Sequence, residues 1–228
     1  MEAMLKDVAE EFKDKSLSAR ELTPSWNVKP TQDVYVITSD SIKIASWGMI
    51  APWSKSNLEA QKSQSNAINA RSETVHEKPT FRNAFKRSRC LVPATGYYEW
   101  ASELGQYKPR QPIYVSRDDN QLLFFSAISD TWISPEGEAR ESVSIITREA
   151  VGNLPTFHSR MPMFLPRDRW DMWLDPSNQD VANVRSLFDN FQADANLRFW
   201  PVADLVNSIA NYGPDLIEPI ELIPETLF

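Results

Sequence analysis

Cysteine and histidine are both scarce in this 228-residue sequence: Cys90 stands alone, and the histidines are His76 and His158. A single thiol cannot form an internal disulfide, so a reducing, intracellular setting is the simplest reading. One thiol and two imidazoles are also too few for a Cys/His zinc site, and no metal is expected. There are six glycines and no Gly-rich phosphate loop of the P-loop or dinucleotide type. No apolar run approaches the roughly 18 residues of a membrane span. The first twenty residues are charged throughout, so no signal peptide is read. Positive charge is in deficit as well. The 24 Lys and Arg face 31 Asp and Glu, for a net charge of −7, which argues against a generic nucleic-acid binder. A local basic groove stays open, because binding depends on where the charges sit.

What is present is ordinary globular material. Hydrophobic residues make up 42%, enough for a real core at this length. With no internal repeat and no linker, residues 1–228 read as one domain. A helix is expected over 4–12, with Leu5, Val8 and Phe12 on one stripe. Two β-rich runs, Asp33–Thr38 and Ser41–Trp47, flank a polar turn and read as a hairpin. Residues 52–68 are polar and read as a long loop. Helices are expected over 79–87, 166–173 and 179–191. Strands are expected over 90–93, 97–100, 113–116, 122–128, 143–146 and 197–202, followed by an extended Pro-rich tail. Strands dominate and do not alternate with helices. The fold class is therefore α+β, a single domain with a strongly curved, mostly antiparallel sheet or barrel-like core flanked by a few helices.

The chemistry concentrates in Thr156-Phe157-His158-Ser159-Arg160-Met161-Pro162. Histidine can carry a proton either way near neutral pH, and arginine is a permanent cation with a fork suited to phosphate or carboxylate. Three more polar loop segments stand out: Trp26-Asn27-Val28-Lys29-Pro30, Ile68-Asn69-Ala70-Arg71-Ser72-Glu73-Thr74 and Gly96-Tyr97-Tyr98-Glu99-Trp100. Trp47-Gly48-Met49-Ile50-Ala51-Pro52-Trp53 is a fifth segment. Each residue has a plain alternative. Glu99 could be a strand-surface carboxylate, and Asn27 and Asn69 could be turn residues. The tryptophans could be core. Arg82, Lys86, Arg87 and Arg89 could be a solvated helix face or a phosphate track. His76 reads as a solvated surface histidine.

In order and spacing, these segments resemble the SOS-response-associated peptidase (SRAP) family, from about residue 20 to residue 220. Arg89-Cys90-Leu91-Val92-Pro93-Ala94 and Val202-Ala203-Asp204-Leu205-Val206-Asn207 add to the resemblance. It implies a DNA-damage-response protein that binds single-stranded DNA at abasic sites. In the family, a cysteine directly after the initiator methionine closes a thiazolidine ring on the opened sugar. The peptidase label refers mainly to removal of that methionine. The resemblance implies Asn69, Glu99 and His158 as catalytic residues: His158 as acid/base for ring opening, Glu99 for the amine proton, Asn69 to orient the reacting groups. It implies DNA contacts from Asn27, Trp47, Trp53, Arg71, Trp100, Thr147 and Arg160. No cofactor and no membrane partner are implied; a monomer is expected, cytoplasmic and associated with the nucleoid when bound to DNA.

The sequence departs from the family at its start. The family opens Met-Cys-Gly-Arg, and here the opening is Met1-Glu2-Ala3-Met4. Cys90 lies in an apolar strand and reads as core. The favoured expectation is an upstream Met-Cys-Gly-Arg segment in the native reading frame. The alternative is a divergent member that binds the same DNA without the covalent step. A small peptidase using His158 and Glu99 is the third class.

Overall fold

The computed structural model describes residues 5–101, 109–191 and 196–222. In chain order its elements are α1 (Leu5–Glu11), β1 (Ser16–Leu17), β2 (Asp33–Ile37), β3 (Ser41–Trp47), α2 (Asn57–Asn66), β4 (Asn69–Arg71), α3 (Arg82–Arg87), β5 (Arg89–Ala94), β6 (Gly96–Trp100), β7 (Pro112–Arg117), β8 (Leu123–Ile133), β9 (Ala139–Glu149), β10 (Arg160–Pro162), α4 (Trp170–Leu174), α5 (Val181–Ser186) and β11 (Leu197–Pro201).

β2 and β3 form the expected hairpin, in register from Asp33↔Ser46 to Ile37↔Ile42. Its turn is fixed by Thr38 Oγ1, which donates to Asp40 Oδ1 at 2.8 Å. β2 pairs with β5, β5 with β8, and β8 with β9. β9 then closes on β3, with Ser142 and Val143 opposite Ser46 and Trp47. The five strands β3-β2-β5-β8-β9 therefore make a closed barrel. β1, β4 and β10 extend it, and β6, β7 and β11 form a second sheet. The pairings are antiparallel except β1–β3, β3–β9 and β4–β9. The α+β class with a barrel-like core is what the strand pattern led one to expect.

Both faces of the barrel strands are buried. Cys90, Val92, Ala127 and Ile145 pack with Tyr97, Ile113 and Val115 of the second sheet. Their neighbours Leu91, Ile128 and Ile146 pack with Val8, Phe85 and Trp173 of the helices and with Phe12 just after α1. Double-sided burial explains why these strands read as continuous apolar runs rather than alternating ones.

Several expectations need correction. The polar stretch 52–68 is not all loop, since it contains α2, capped by Ser56, whose hydroxyl accepts from Glu59 N. The motif segments 69–71, 96–100 and 160–162 are short strands, not loops. α3 starts at Arg82 rather than 79, and α5 ends at Ser186, well short of 191. The tail is not simply extended, because Asp204–Asn207 and Pro214–Ile217 are 3-10 turns; residues 223–228, like the opening residues 1–4, lie outside the described residues. Arg89 is neither a solvated face nor a phosphate contact. It is 3% exposed, and its guanidinium donates to the carbonyls of Phe85, Lys86, Trp173, Asp175 and Asn178. Arg82, Lys86 and Arg87 are exposed. His76 is not solvated either: its side chain is 14% exposed and lies against Phe85.

Candidate functional site

The site is assembled around the end of β9. Thr147 has β4 on one side, with Arg71 opposite it, and β10 on the other, with Pro162 opposite it. On β4, Ala70 is buried while Asn69 and Arg71, two apart, are exposed on the same side of the strand. The 150–159 connection between β9 and β10 is anchored by Leu154 and Phe157, both buried. That anchoring carries His158 and Arg160 to the same edge. The Arg160 fork meets Glu73 twice, Nη1 to Oε1 at 2.6 Å and Nη2 to Oε2 at 3.0 Å, and Nη2 also donates to Thr147 O at 2.8 Å. This bidentate contact holds the Glu73 carboxyl below its ordinary range. Glu73 is a residue that sequence reasoning missed. Its only local signal is an opposite charge two residues past Arg71, which does not reveal a partner 87 residues away.

From the second sheet, β6 brings Glu99 to this edge. Glu99 Oε2 lies 3.2 Å from His158 Nδ1. The same Nδ1 lies 2.8 Å from the carbonyl oxygen of Arg160. The Arg160 N–H also approaches Nδ1, at 3.3 Å; the shorter carbonyl contact decides the tautomer. In the neutral ring Nδ1 carries the hydrogen, and Nε2 is left as the basic nitrogen. Burial pushes the Glu99 carboxyl up to about 8. At neutral pH Glu99 is therefore mostly a carboxylic acid, able to give a proton, beside an imidazole able to take one. His158 and Glu99 thus meet across two sheets.

A profile of the SOS response associated peptidase (SRAP) family matches residues 1–209. The abasic site processing protein YoqW of Bacillus subtilis (strain 168) is 34% identical over 217 residues, covering 93% of this chain and 94% of that protein. The chain belongs to the SRAP family. The abasic site processing protein HMCES of Mus musculus is 32% identical over 238 residues, covering 88% of this chain and 66% of that longer protein. A crystal structure of a protein from Bacteroides thetaiotaomicron superposes with a TM-score of 0.84 at 26% identity, covering 97% of this chain and 98% of that one.

The remaining SRAP motif residues fall in several places. Trp53, Asn69 and Arg71 line an open groove of about 520 Å³, together with Lys62, Lys78 and Phe81. Lys62 and Lys78 lie outside the motifs and give this groove its positive lining. Trp53 is 55% exposed and Trp100 40%. Trp47 is half-buried, with Nε1 donating to Ile68 O at 3.0 Å, which fixes the chain just before Asn69. Asn27 is buried, and its amide nitrogen donates to the carbonyls of Val206, Ser208 and Asn211. Thr147 meets Arg160 through its carbonyl. A continuous row of contacts thus runs Arg71–Thr147–Arg160–His158–Glu99. Cys90 is outside this row, fully buried in β5, and burial pushes its thiol up to about 12. No thiolate is available there to attack a solvent-borne group.

Proposed function

We propose that this protein binds single-stranded DNA at abasic sites and that Glu99 and His158 carry the proton transfers on the opened sugar there. The observation that carries this reading is the 3.2 Å approach of His158 to a Glu99 carboxyl raised to about 8. An abasic sugar exchanges between a closed hemiacetal and an aldehyde. Opening it requires a base at the anomeric hydroxyl and an acid at the ring oxygen. His158 Nε2 is the base, and neutral Glu99 is the acid. Arg71 and Arg160 take the flanking phosphates. Glu73 leaves Arg160 a second Nη1 hydrogen for a phosphate oxygen while fixing the plane of the fork. Asn69 orients the sugar. Trp47, Trp53 and Trp100 offer faces to neighbouring bases. The relatives named abasic site processing proteins support the same lesion.

The covalent step needs a free amine and a thiol on adjacent atoms. Residue 2 is Glu2, and Cys90 is buried. The residues named here supply no such pair, so binding through them is reversible; a thiazolidine closes only on a cysteine whose α-amine has been freed by removal of the methionine before it. The test is fluorescence anisotropy with three oligonucleotides of one sequence: single-stranded with one abasic site, single-stranded intact, and duplex. The abasic single strand binds tightest, and Arg71→Ala and Arg160→Ala each weaken it about tenfold or more. Equal affinity for all three probes overturns the reading. A heat-stable adduct formed by the chain starting at Met1 overturns the reversible half of it.

A further inference from the structure

The segment that follows the last strand presents a row of apolar side chains to solvent. Leu205 is 48% exposed, Ile209 85% and Tyr212 66%. Three large apolar side chains exposed within eight residues of one segment are a concentration that scattered surface hydrophobics do not reach, and such concentrations mark contact sites. The backbone that carries them is held firmly. Asn27 Nδ2 donates to Val206 O at 3.0 Å, to Ser208 O at 3.3 Å and to Asn211 O at 3.0 Å. Trp26 N donates to Tyr212 O at 3.1 Å, and Asn211 Nδ2 to Leu205 O at 2.8 Å. Val206, 3% exposed, anchors the segment from beneath. A buried asparagine whose amide nitrogen serves three carbonyls of one exposed segment fixes that segment's shape. The apolar row is therefore pre-organised, not a frayed end.

The segment is also tied to Trp100, one of the side chains proposed above to face the DNA bases. Trp100 Nε1 donates to Asn207 Oδ1 at 2.8 Å, and Trp100 follows Glu99 directly in β6. Neighbouring side chains of a strand face opposite ways, so Trp100 does not lengthen the Arg71–Thr147–Arg160–His158–Glu99 row; it lies beside Tyr98 and links that aromatic face to residues 205–212 through Asn207. At the Arg71 end the row opens on the groove with Lys62 and Lys78. Beside residues 205–212, Lys29 Nζ donates to Ser208 O at 3.2 Å. The groove offers charge for phosphates, and residues 205–212 offer aromatic and aliphatic faces for bases.

We infer that residues 205–212, with Trp100, form a second platform that stacks unpaired nucleobases of the DNA strand on one side of the lesion. This inference rests on the abasic-site reading above and adds to it the path by which the strand leaves the site. Base stacking on such faces is tolerant of sequence and insensitive to salt compared with phosphate contacts.

The experiment uses a short abasic single strand and two versions of it, extended by several nucleotides on the 5′ side alone or the 3′ side alone. One extension raises affinity about tenfold and the other far less. Ile209→Ser and Tyr212→Ser remove that increment and leave binding of the short strand unchanged. 2-Aminopurine placed in the favoured extension is quenched by the wild-type protein and not by Tyr212→Ser. Both side chains are exposed, so the variants fold, and equal melting temperatures check this. If both variants keep the full increment, the platform is overturned while the abasic-site reading stands. If Ile209→Ser instead converts a dimer to a monomer by light scattering, the face belongs to a second copy and the inference falls. If no strand of any length binds, the abasic-site reading fails first and the platform with it.

Discussion

Glu99 departs far from the ordinary behaviour of a carboxylate, and the consequence is measurable in stability as well as in function. Burial raises its carboxyl from 4.5 to about 8. The unfolded chain gives up this proton near 4.5, and the folded chain holds it to about 8. Between those values the folded state binds more protons, so stability falls as pH rises through that window, by a few kcal/mol at most. The contribution is complete below pH 4.5 and gone above 8. Glu99→Gln copies the neutral acid, so its stability stays flat over the interval at which the wild type declines. Urea denaturation at pH 5 and pH 9 checks this, and a wild type equally stable at both values rules out the raised carboxyl. The order of the motif segments singled out Glu99, His158, Asn69 and Arg71 as candidates in the sequence, and the fold brings two of them, Glu99 and His158, to 3.2 Å. Partner contacts were not legible there. Glu73 meets Arg160 through the chain's return past β9. Arg89 and His76 differ from solvated residues only in what folds over them, and neither fact has a local signature.

At the scale of elements, legibility followed the strength of the local pattern. The β2–β3 hairpin and the apolar strands were readable, because β-branched runs and a polar turn need no tertiary context. The short strands β4 and β10 were not, since three residues become a strand only by lying against β9. α2 was missed for another reason. It is polar on nearly every side, with Ala60 and Gln64 its only buried residues, so it has no apolar period to detect. The spacing Ser56 to Glu59 was the signal left, a serine followed three residues later by an acid. The turn into this region depends on Gly48, whose φ is +111° and whose N–H donates to Val143 O at 2.7 Å. A Cβ there would lie 2.3 Å from the Gln64 carbonyl oxygen. Gly48→Ala therefore combines backbone strain with a clash against α2, and should destabilise by about 2 kcal/mol or more. Ser56→Ala, which only removes the cap, should lose about 1 kcal/mol. Thermal melts of the two variants give the order. Equal losses would show that α2 is not packed against the Gly48 turn.

Across the whole molecule the charge balance opposes the proposed partner, since a net −7 repels a polyanion. Salt resolves the conflict. At physiological ionic strength the field of distant carboxylates is screened beyond about 8 Å, so a strand in the groove responds mainly to cations lining it. Those are Lys62, Arg71 and Lys78, set against the groove carboxylate Glu59; Arg160 is also proposed above to take a phosphate, but Glu73 already neutralises its charge, so it adds little to the salt slope. About three phosphate contacts to a single strand give a slope of log affinity against log salt near −2. Arg71→Ala removes one contact and should bring the slope to about −1.4, whereas a lysine on the far surface replaced by alanine leaves it unchanged. A wild-type slope twice as steep, or one that ignores Arg71, would mean that the strand lies elsewhere on the protein. The acidic bulk adds a second expectation of the opposite sign: at low salt, long-range repulsion slows encounter, so the association rate should change less with falling salt than the dissociation rate does. Stopped-flow mixing at two ionic strengths measures both rates, and an association rate that climbs steeply at low salt would indicate a basic steering field that these side chains do not provide.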